Sequence, residues 1–257
     1  MGKVFRLVGD WCRRLKEGRK LRRYSRSNEI GVDSSDLSRI KIRIWGKNNV
    51  VRIGKLRKGT GQLEIRIHGD GNKVILEDGL AISEYLKISL GAPAANMGPV
   101  QGVKVQIGTH CSFERVSMQT YNSHAVIEVG EHCMFSFGIQ IYHTDGHPIL
   151  DASTRQVINR VKTLSIGNHT WIGANTTIMK NAIIGSDCIV GWGSVVSGKF
   201  PASNCILAGN PARVVRQGIT WDANGAACGY IANELPEERY TSACPEVSVA
   251  NVEGRMS

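Results

Sequence analysis

From residue 166 the chain reads IGNHTW, IGANTT, IMKNAI, IGSDCI, VGWGSV, VSGKFP, which puts an aliphatic residue at 166, 172, 178, 184, 190 and 196. A period of six matches neither the 3.6 residues of an α-helix nor the two-residue alternation of a strand. It fits a coil of three short, flat strands in which each hexad supplies one inward aliphatic side chain and then turns a corner. Glycine follows the aliphatic residue in four of the six hexads, and the fifth position is Thr170, Thr176, Ala182, Cys188 and Ser194 before Phe200 ends the series. Such coils stack through backbone hydrogen bonds at about the 4.8 Å strand separation, and the aliphatic positions become ladders that fill the interior. The fold class expected is therefore all-β, a parallel β-helix of hexapeptide repeats.

Upstream the same signature recurs out of phase, as Ile53-Gly54, Ile107-Gly108 and Val129-Gly130, with 129, 135 and 141 keeping the six-residue spacing. The coil is expected to begin near Ile40 and to form one domain over residues 38–215, with breaks at HGDGNK and LGAPAANMGP where glycine favours loops. Residues 216–257 lose the period and read as an irregular C-terminal tail. The seven cysteines form no C-x-x-C and no metal-ligand spacing, so they read as small buried residues, Cys188 filling a corner. No apolar run of about 18 residues and no signal-peptide core is present, which leaves the cytoplasm as the expected location.

The net charge of +10 is unevenly placed: ten lysines and arginines stand against two acids within residues 1–26, so the remainder is close to neutral. In residues 1–28 Val4, Leu7, Val8, Trp11 and Leu15 recur at helical spacing among these basic residues. That is the pattern of a basic amphipathic helix drawn to a membrane surface, or of one that packs in an oligomer. The body offers no second basic patch with interleaved aromatics, so nucleic acid is not expected as a partner.

Between Ile141 and Ile166 the six-residue phase gives way to YHTDGHPILDASTRQVINRVKTLS, read as a loop over 142–165 that leaves a corner of the coil. Gly146 and Pro148 hold His147 in a turn, and an imidazole that titrates near neutrality suits a general base. Asp145 and His143 are both candidates to orient it, and spacing alone does not choose between them.

Taken together, DGHPILD, IGNHTWIGANTTI, VGWGSVVSGKFP and AGNPARVV resemble the hexapeptide-repeat acyltransferases, in the branch of galactoside, maltose and capsular-polysaccharide O-acetyltransferases. The resemblance is strong over residues 103–216 and weak over 40–102. It implies a left-handed parallel β-helix, a homotrimer, acetyl-CoA in the groove between subunits, no metal, and His147 as the base. It places Trp171, Gly173 and Gly193 along the pantetheine groove and Ser197 and Arg213 near the nucleotide end. Lys199 is shifted by one from the family's T-K-D, and Trp192 stands where a small residue is usual, either to stack on the adenine or to cap the groove. The activity implied is acetyl-CoA-dependent O-acetylation of a sugar hydroxyl on a surface polysaccharide or its lipid-linked precursor, in the cytoplasm or at the inner membrane face. Transfer to an amino sugar stays open. Two other readings also stay open: a non-catalytic trimeric scaffold, and a gamma-class carbonic-anhydrase-like zinc enzyme using His143 and His147 with His110 or His132.

Overall fold

The computed structural model describes residues 27–33, 37–57, 61–92 and 98–222. The amphipathic helix expected over 1–28, but for its last two residues, and nearly all of the C-terminal tail lie outside the described residues. Among the described residues there is no helix, and the strands pair in parallel except at the C-terminal end.

Three faces repeat along the chain in a fixed order. The first is built from Glu29–Val32, Val50–Ile53, Lys73–Leu76, Lys104–Ile107, Val126–Val129, Thr163–Ile166, Ile183–Ile184 and Lys199–Phe200, each paired with the next. The second carries Met134–Phe135, Trp171–Ile172, Ile189–Val190 and Cys205–Gly209 in register. The third runs from Ile40–Trp45 and Gln62–Asp70 to Ile139–Tyr142, Thr177–Met179 and Val195–Val196. This is the parallel β-helix that the hexads imply.

Its interior is made of ladders. On the third face Ile42, Ile65, Ile88, Met118, Ile141, Ile178 and Val196 are consecutive register partners, and all are buried. The register also explains why the repeat slips upstream. Ile178 and Val196 stand 18 residues apart, three hexads, whereas 23 residues separate Ile42 from Ile65 and Ile65 from Ile88. Strands of 9 and 10 residues, Gln62–Asp70 and Ala81–Leu90, fill the longer coils.

The stack also starts earlier than expected, because Glu29–Val32 already pairs in parallel with Val50–Ile53, ahead of Ile40. HGDGNK is no break: Gln62–Asp70 runs through its first half, Gly71 turns with φ of 65°, and Lys73–Leu76 resumes the first face. Buried corners are satisfied by stacked side chains. Asn49 donates its backbone N–H (2.9 Å) and Nδ2 (3.1 Å) to Asn28 Oδ1, Asn72 repeats this on Asn49 Oδ1 at 2.9 Å each, and Val103 N–H meets Asn72 Oδ1 at 3.0 Å. At another corner Cys111, Cys133, Thr170, Cys188 and Cys205 form a buried column of small residues, and the four cysteines are free thiols. At the C-terminal end Ala212–Gln217 turns back antiparallel on Cys205–Gly209 and covers that open edge.

Candidate active site

After Tyr142 the chain leaves the corner between the third and first faces and returns at Thr163. The excursion is an arm with its own hairpin. Leu150 and Val157 form an antiparallel bridge, and Ile158 N–H donates to Ile149 O at 2.9 Å. At its tip Asp151 Oδ1 accepts from the Ser153 hydroxyl (2.7 Å), the Thr154 N–H (2.7 Å) and the Thr154 hydroxyl (2.9 Å). These donors, the Ser153 hydroxyl first, hold the Asp151 carboxyl down at about 2.

His147 sits at the base of the arm, exposed, and among the described residues its ring makes no hydrogen bond. Its backbone, in contrast, is held. Asn159, on the returning leg, donates Nδ2 to His147 O (2.9 Å) and Asp145 Oδ2 (2.7 Å), and its Oδ1 accepts from Ile149 N–H at 2.8 Å. One amide thus clamps three alternate positions of the loop. Lys180, from the next coil, closes the arrangement with an ion pair to Asp145 and a 3.3 Å bond to Asn159 O. Partial burial works to raise the pKa of Asp145, but the Lys180 ammonium and the Asn159 amide outweigh it and keep the carboxylate below its usual range.

His143 is placed quite differently. It is fully buried, with Nε2 3.1 Å from Lys162 O and Nδ1 accepting from Asn181 N–H at 3.4 Å. The carbonyl requires an N–H on Nε2, so the ring is a neutral tautomer with both nitrogens engaged. Burial depresses its pKa first, the Lys162 carbonyl works against that, and the Lys180 charge adds to the depression. Neither candidate for orienting the His147 ring therefore touches it. Asp145 reaches the His147 backbone through Asn159, and His143 fixes the return leg at Lys162. A zinc site that includes His143 loses its ligand, because both ring nitrogens are spent. His110 and His132, the other candidates for that site, stack on one another with ring centroids 5.1 Å apart.

A cavity of about 340 Å³ opens beside His147. Thr144 to Pro148 form one wall, Val157 and Asn159 to Val161 another, and Tyr121 to Ser123 of the preceding coil a third. Its polar lining includes the Asn122 amide, whose buried Oδ1 has no hydrogen-bond partner among the described residues.

The residues expected to hold a donor divide between two corners. Trp171 points outward from the second face, where its indole N–H reaches Ser136 Oγ at 3.3 Å. Gly173 follows at the next corner, where a Cβ would stand 2.6 Å from Val190 O, so the coil stacking itself demands glycine there. Gly193 turns at the same corner with φ of 68°, and Trp192 beside it is 68% exposed, edge-on to Phe137 at 5.2 Å. Ser197 and Lys199 instead follow Val195–Val196, at the corner that the arm leaves. Arg213 lies on the antiparallel closing strand, its guanidinium donating to Ala212 O at 2.9 Å. One chain alone does not bring these groups together. Trp221 folds back on the second face, stacks on His169 at 4.4 Å and lies 5.9 Å from the Trp171 ring.

The bacterial transferase hexapeptide (six repeats) model matches residues 164–198. Protein CapG of Staphylococcus aureus is 31% identical over 118 residues, covering 46% of this chain and 68% of that protein. The chain belongs to the hexapeptide-repeat acyltransferases. The polysialic acid O-acetyltransferase of Neisseria meningitidis is 29% identical over 203 residues, covering 76% of this chain and 86% of the relative. Of another relative, 29% identical over 121 residues, the chain spans 39%. Among solved structures, that of the polySia specific acetyltransferase NeuO superposes with a TM-score of 0.59 at 27% identity, over 72% of this chain and 89% of the other.

Within this acyltransferase, Lys180, Asn181 and Asn159 escaped sequence reading, although a signal was present. IMKNAI is one of two hexads without glycine after the aliphatic residue, and its Lys180 and Asn181 lie under the arm. Asn181 takes the left-handed conformation (φ 61°), donates Nδ2 to Arg160 O at 2.9 Å and accepts from Lys162 N–H at 2.6 Å.

Proposed function

We propose that this acyltransferase is an acetyl-CoA-dependent O-acetyltransferase of a sugar hydroxyl, on a surface polysaccharide or its lipid-linked precursor, working as a homotrimer of left-handed parallel β-helices. The observation that carries the reading is His147: an imidazole with no hydrogen bond among the described residues, beside a polar cavity, on a backbone clamped from two directions. The acceptors named in two of the relatives are polysaccharides of sialic acid, which supports a glycan acceptor.

The acceptor hydroxyl is a weak nucleophile near neutral pH. His147 takes its proton as the oxygen attacks the thioester carbonyl carbon; the tetrahedral oxyanion then collapses, the C–S bond breaks, and the imidazolium returns the proton to the departing thiolate. No covalent enzyme intermediate is required when both substrates are held together, so rate comes from positioning and proton transfer. Asn122 Oδ1, without a hydrogen-bond partner among the described residues, suits a sugar hydroxyl as acceptor.

A donor lying between two subunits would use one corner from each: Trp171, Gly173 and Gly193 from one copy, Ser197 and Lys199 from its neighbour, with Arg213 at the phosphate end. The arm supports assembly because Ile149 and Ile158 are 52% and 63% exposed on it. No helix among the described residues is long and apolar enough to cross a membrane. A place at the inner membrane face would rest on the basic segment 1–28.

The test is titration calorimetry with acetyl-CoA on the wild type and His147→Ala. Both should bind the donor saturably, near one site per subunit, while acetyl transfer falls about 10²–10⁴-fold in the variant at unchanged fold. A folded wild-type protein that binds no acetyl-CoA would sink the reading.

A further inference from the structure

The third face carries a feature hidden from the sequence by the length of the coils. Its outward positions align Lys41, Glu64 and Lys87 in one row and Arg43, Arg66, Ser89, Gln119 and Tyr142 in the next. Three cations therefore share one carboxylate, Glu64 lying 2.9 Å from Arg66, 3.2 Å from Lys41 and 3.7 Å from Arg43, and the fourth cation of the face, Lys87, has no ion-pair partner among the described residues. Trp45 stands at the rim, 49% exposed, edge-on to His68 with centroids 6.5 Å apart.

Part of this face lines a second cavity of about 190 Å³, whose walls include Trp45, Arg66, His68, Lys87, Gln119 and Tyr121. Tyr121 also lines the cavity beside His147, and its hydroxyl donates to Gln119 Oε1 at 2.8 Å, so one residue pair joins the two. Arg66 Nε and His68 Nδ1 are buried without a hydrogen-bond partner among the described residues. The wall thus holds polar groups that the fold itself leaves unsatisfied. From Arg43 to Tyr142 the row takes four strand steps, ~19 Å, enough for several sugar units in line.

We propose that this face is an extended acceptor subsite that binds an acidic saccharide chain, with its carboxylates on Arg43, Arg66 and Lys87 and one sugar ring on Trp45, delivering the chain to His147. Guanidinium groups match carboxylate geometry and the aromatic face suits the apolar side of a sugar ring. A net positive strip on a nearly neutral body raises the local concentration of a polyanion. A glycan is favoured over a nucleic acid because the strip's cavity shares its Tyr121 wall with the cavity beside His147 and offers a single exposed tryptophan rather than a run of stacking platforms. The inference rests on the sugar acetyltransferase reading.

The experiment measures fluorescence anisotropy of a labelled polysialic acid oligomer with the wild type and with Trp45→Ala/Lys87→Gln, beside neutral dextran of matched length and a single-stranded DNA. Wild type should bind the acidic oligomer in a salt-sensitive manner and dextran weakly; the variant should bind it about tenfold more weakly. In acetyl transfer, the variant's KM for the oligomer should rise by the same factor while kcat, and activity on a single sialic acid unit, stay unchanged. Unaltered affinity in the variant overturns the proposal, as does a wild type that ignores the oligomer or binds DNA equally well. Binding that depends on Trp45 and Lys87 in a protein that transfers no acetyl group would instead uphold the face and overturn the acetyltransferase reading.

Discussion

Four residues separate His143 from His147, and the backbone assigns them opposite duties. His143 follows the end of the third-face strand and is buried, so its neutral ring ties Lys162 to Asn181, whereas His147 is exposed, its ring making no hydrogen bond among the described residues. Because burial lowers the folded-state pKa of His143, the unfolded chain binds the proton first on acidification. Stability should then be complete above the ordinary histidine pKa and decline as pH falls from there towards the depressed folded value. The carboxylates held low, Asp145 and Asp151, lose their contribution only in a lower window, below the ordinary carboxylate pKa. Thermal midpoints measured between pH 7.5 and pH 5 should fall in the wild type, and His143→Gln, which keeps a donor and an acceptor but does not titrate there, should flatten that slope. An equal slope in both proteins would assign it to another group. The Asn159 clamp yields a separate expectation. Asn159→Ala releases the backbone at Asp145, His147 and Ile149 together. Misplacement of a reacting group by about 1 Å can cost 10²-fold, so kcat should drop between about 10- and 100-fold while the coil keeps its thermal midpoint.

At the scale of the strands, the interior is a set of columns, and a column tolerates change according to which way its residues point. Ile178 lies between Ile141 and Val196, fully buried, while Thr177 beside it faces outward. Ile178→Ala should cost about 2–5 kcal/mol by removing buried methyl groups and leaving a cavity that stacked strands cannot collapse. Thr177→Ala should stay within about 0.5 kcal/mol, as surface substitutions do. Urea unfolding of the two variants compares them directly. The same geometry decides what could be read beforehand. Where each face contributes only two or three residues, as from Ile166 to Val196, the coils are three hexads long and the period is visible by inspection. In the 23-residue coils around Ile65 the longer strands restore a two-residue alternation inside each coil and hide the period between coils. Glu29–Val32 went unrecognised for that reason. The Asn28, Asn49 and Asn72 ladder is likewise a contact between coils, over separations that no local pattern marks. His147 and Asp145 were legible because they interrupt a period. Lys180 reaches Asp145 across 35 residues of chain, and only the stacking brings them together.

Along the whole coil the candidate functional groups are distributed over different corners, and that distribution bears on assembly. Trp171, Gly173 and Gly193 belong to one side, while His147, Ser197 and Lys199 belong to the corner that the arm leaves. A donor that touches both sets needs a second column beside the first. The arm is the element suited to hold it there, since Ile149, Val157 and Ile158 are exposed on a hairpin whose base is pinned by Lys180 and Asn181. Replacing the two isoleucines with carboxylates would place charges in any apolar contact the arm makes, at a cost that a modest interface does not withstand. On the proposed trimeric assembly, the wild type should sediment as a trimer and Ile149→Asp/Ile158→Asp as a monomer. Its coil should remain folded, because neither side chain belongs to an interior ladder, and acetyl-CoA affinity should fall together with the trimer. Retained trimers with normal donor binding would show that the arm does not form the interface. Monomers that still bind acetyl-CoA with wild-type affinity would show that one column suffices, and the division of the donor residues between two corners would then need another explanation.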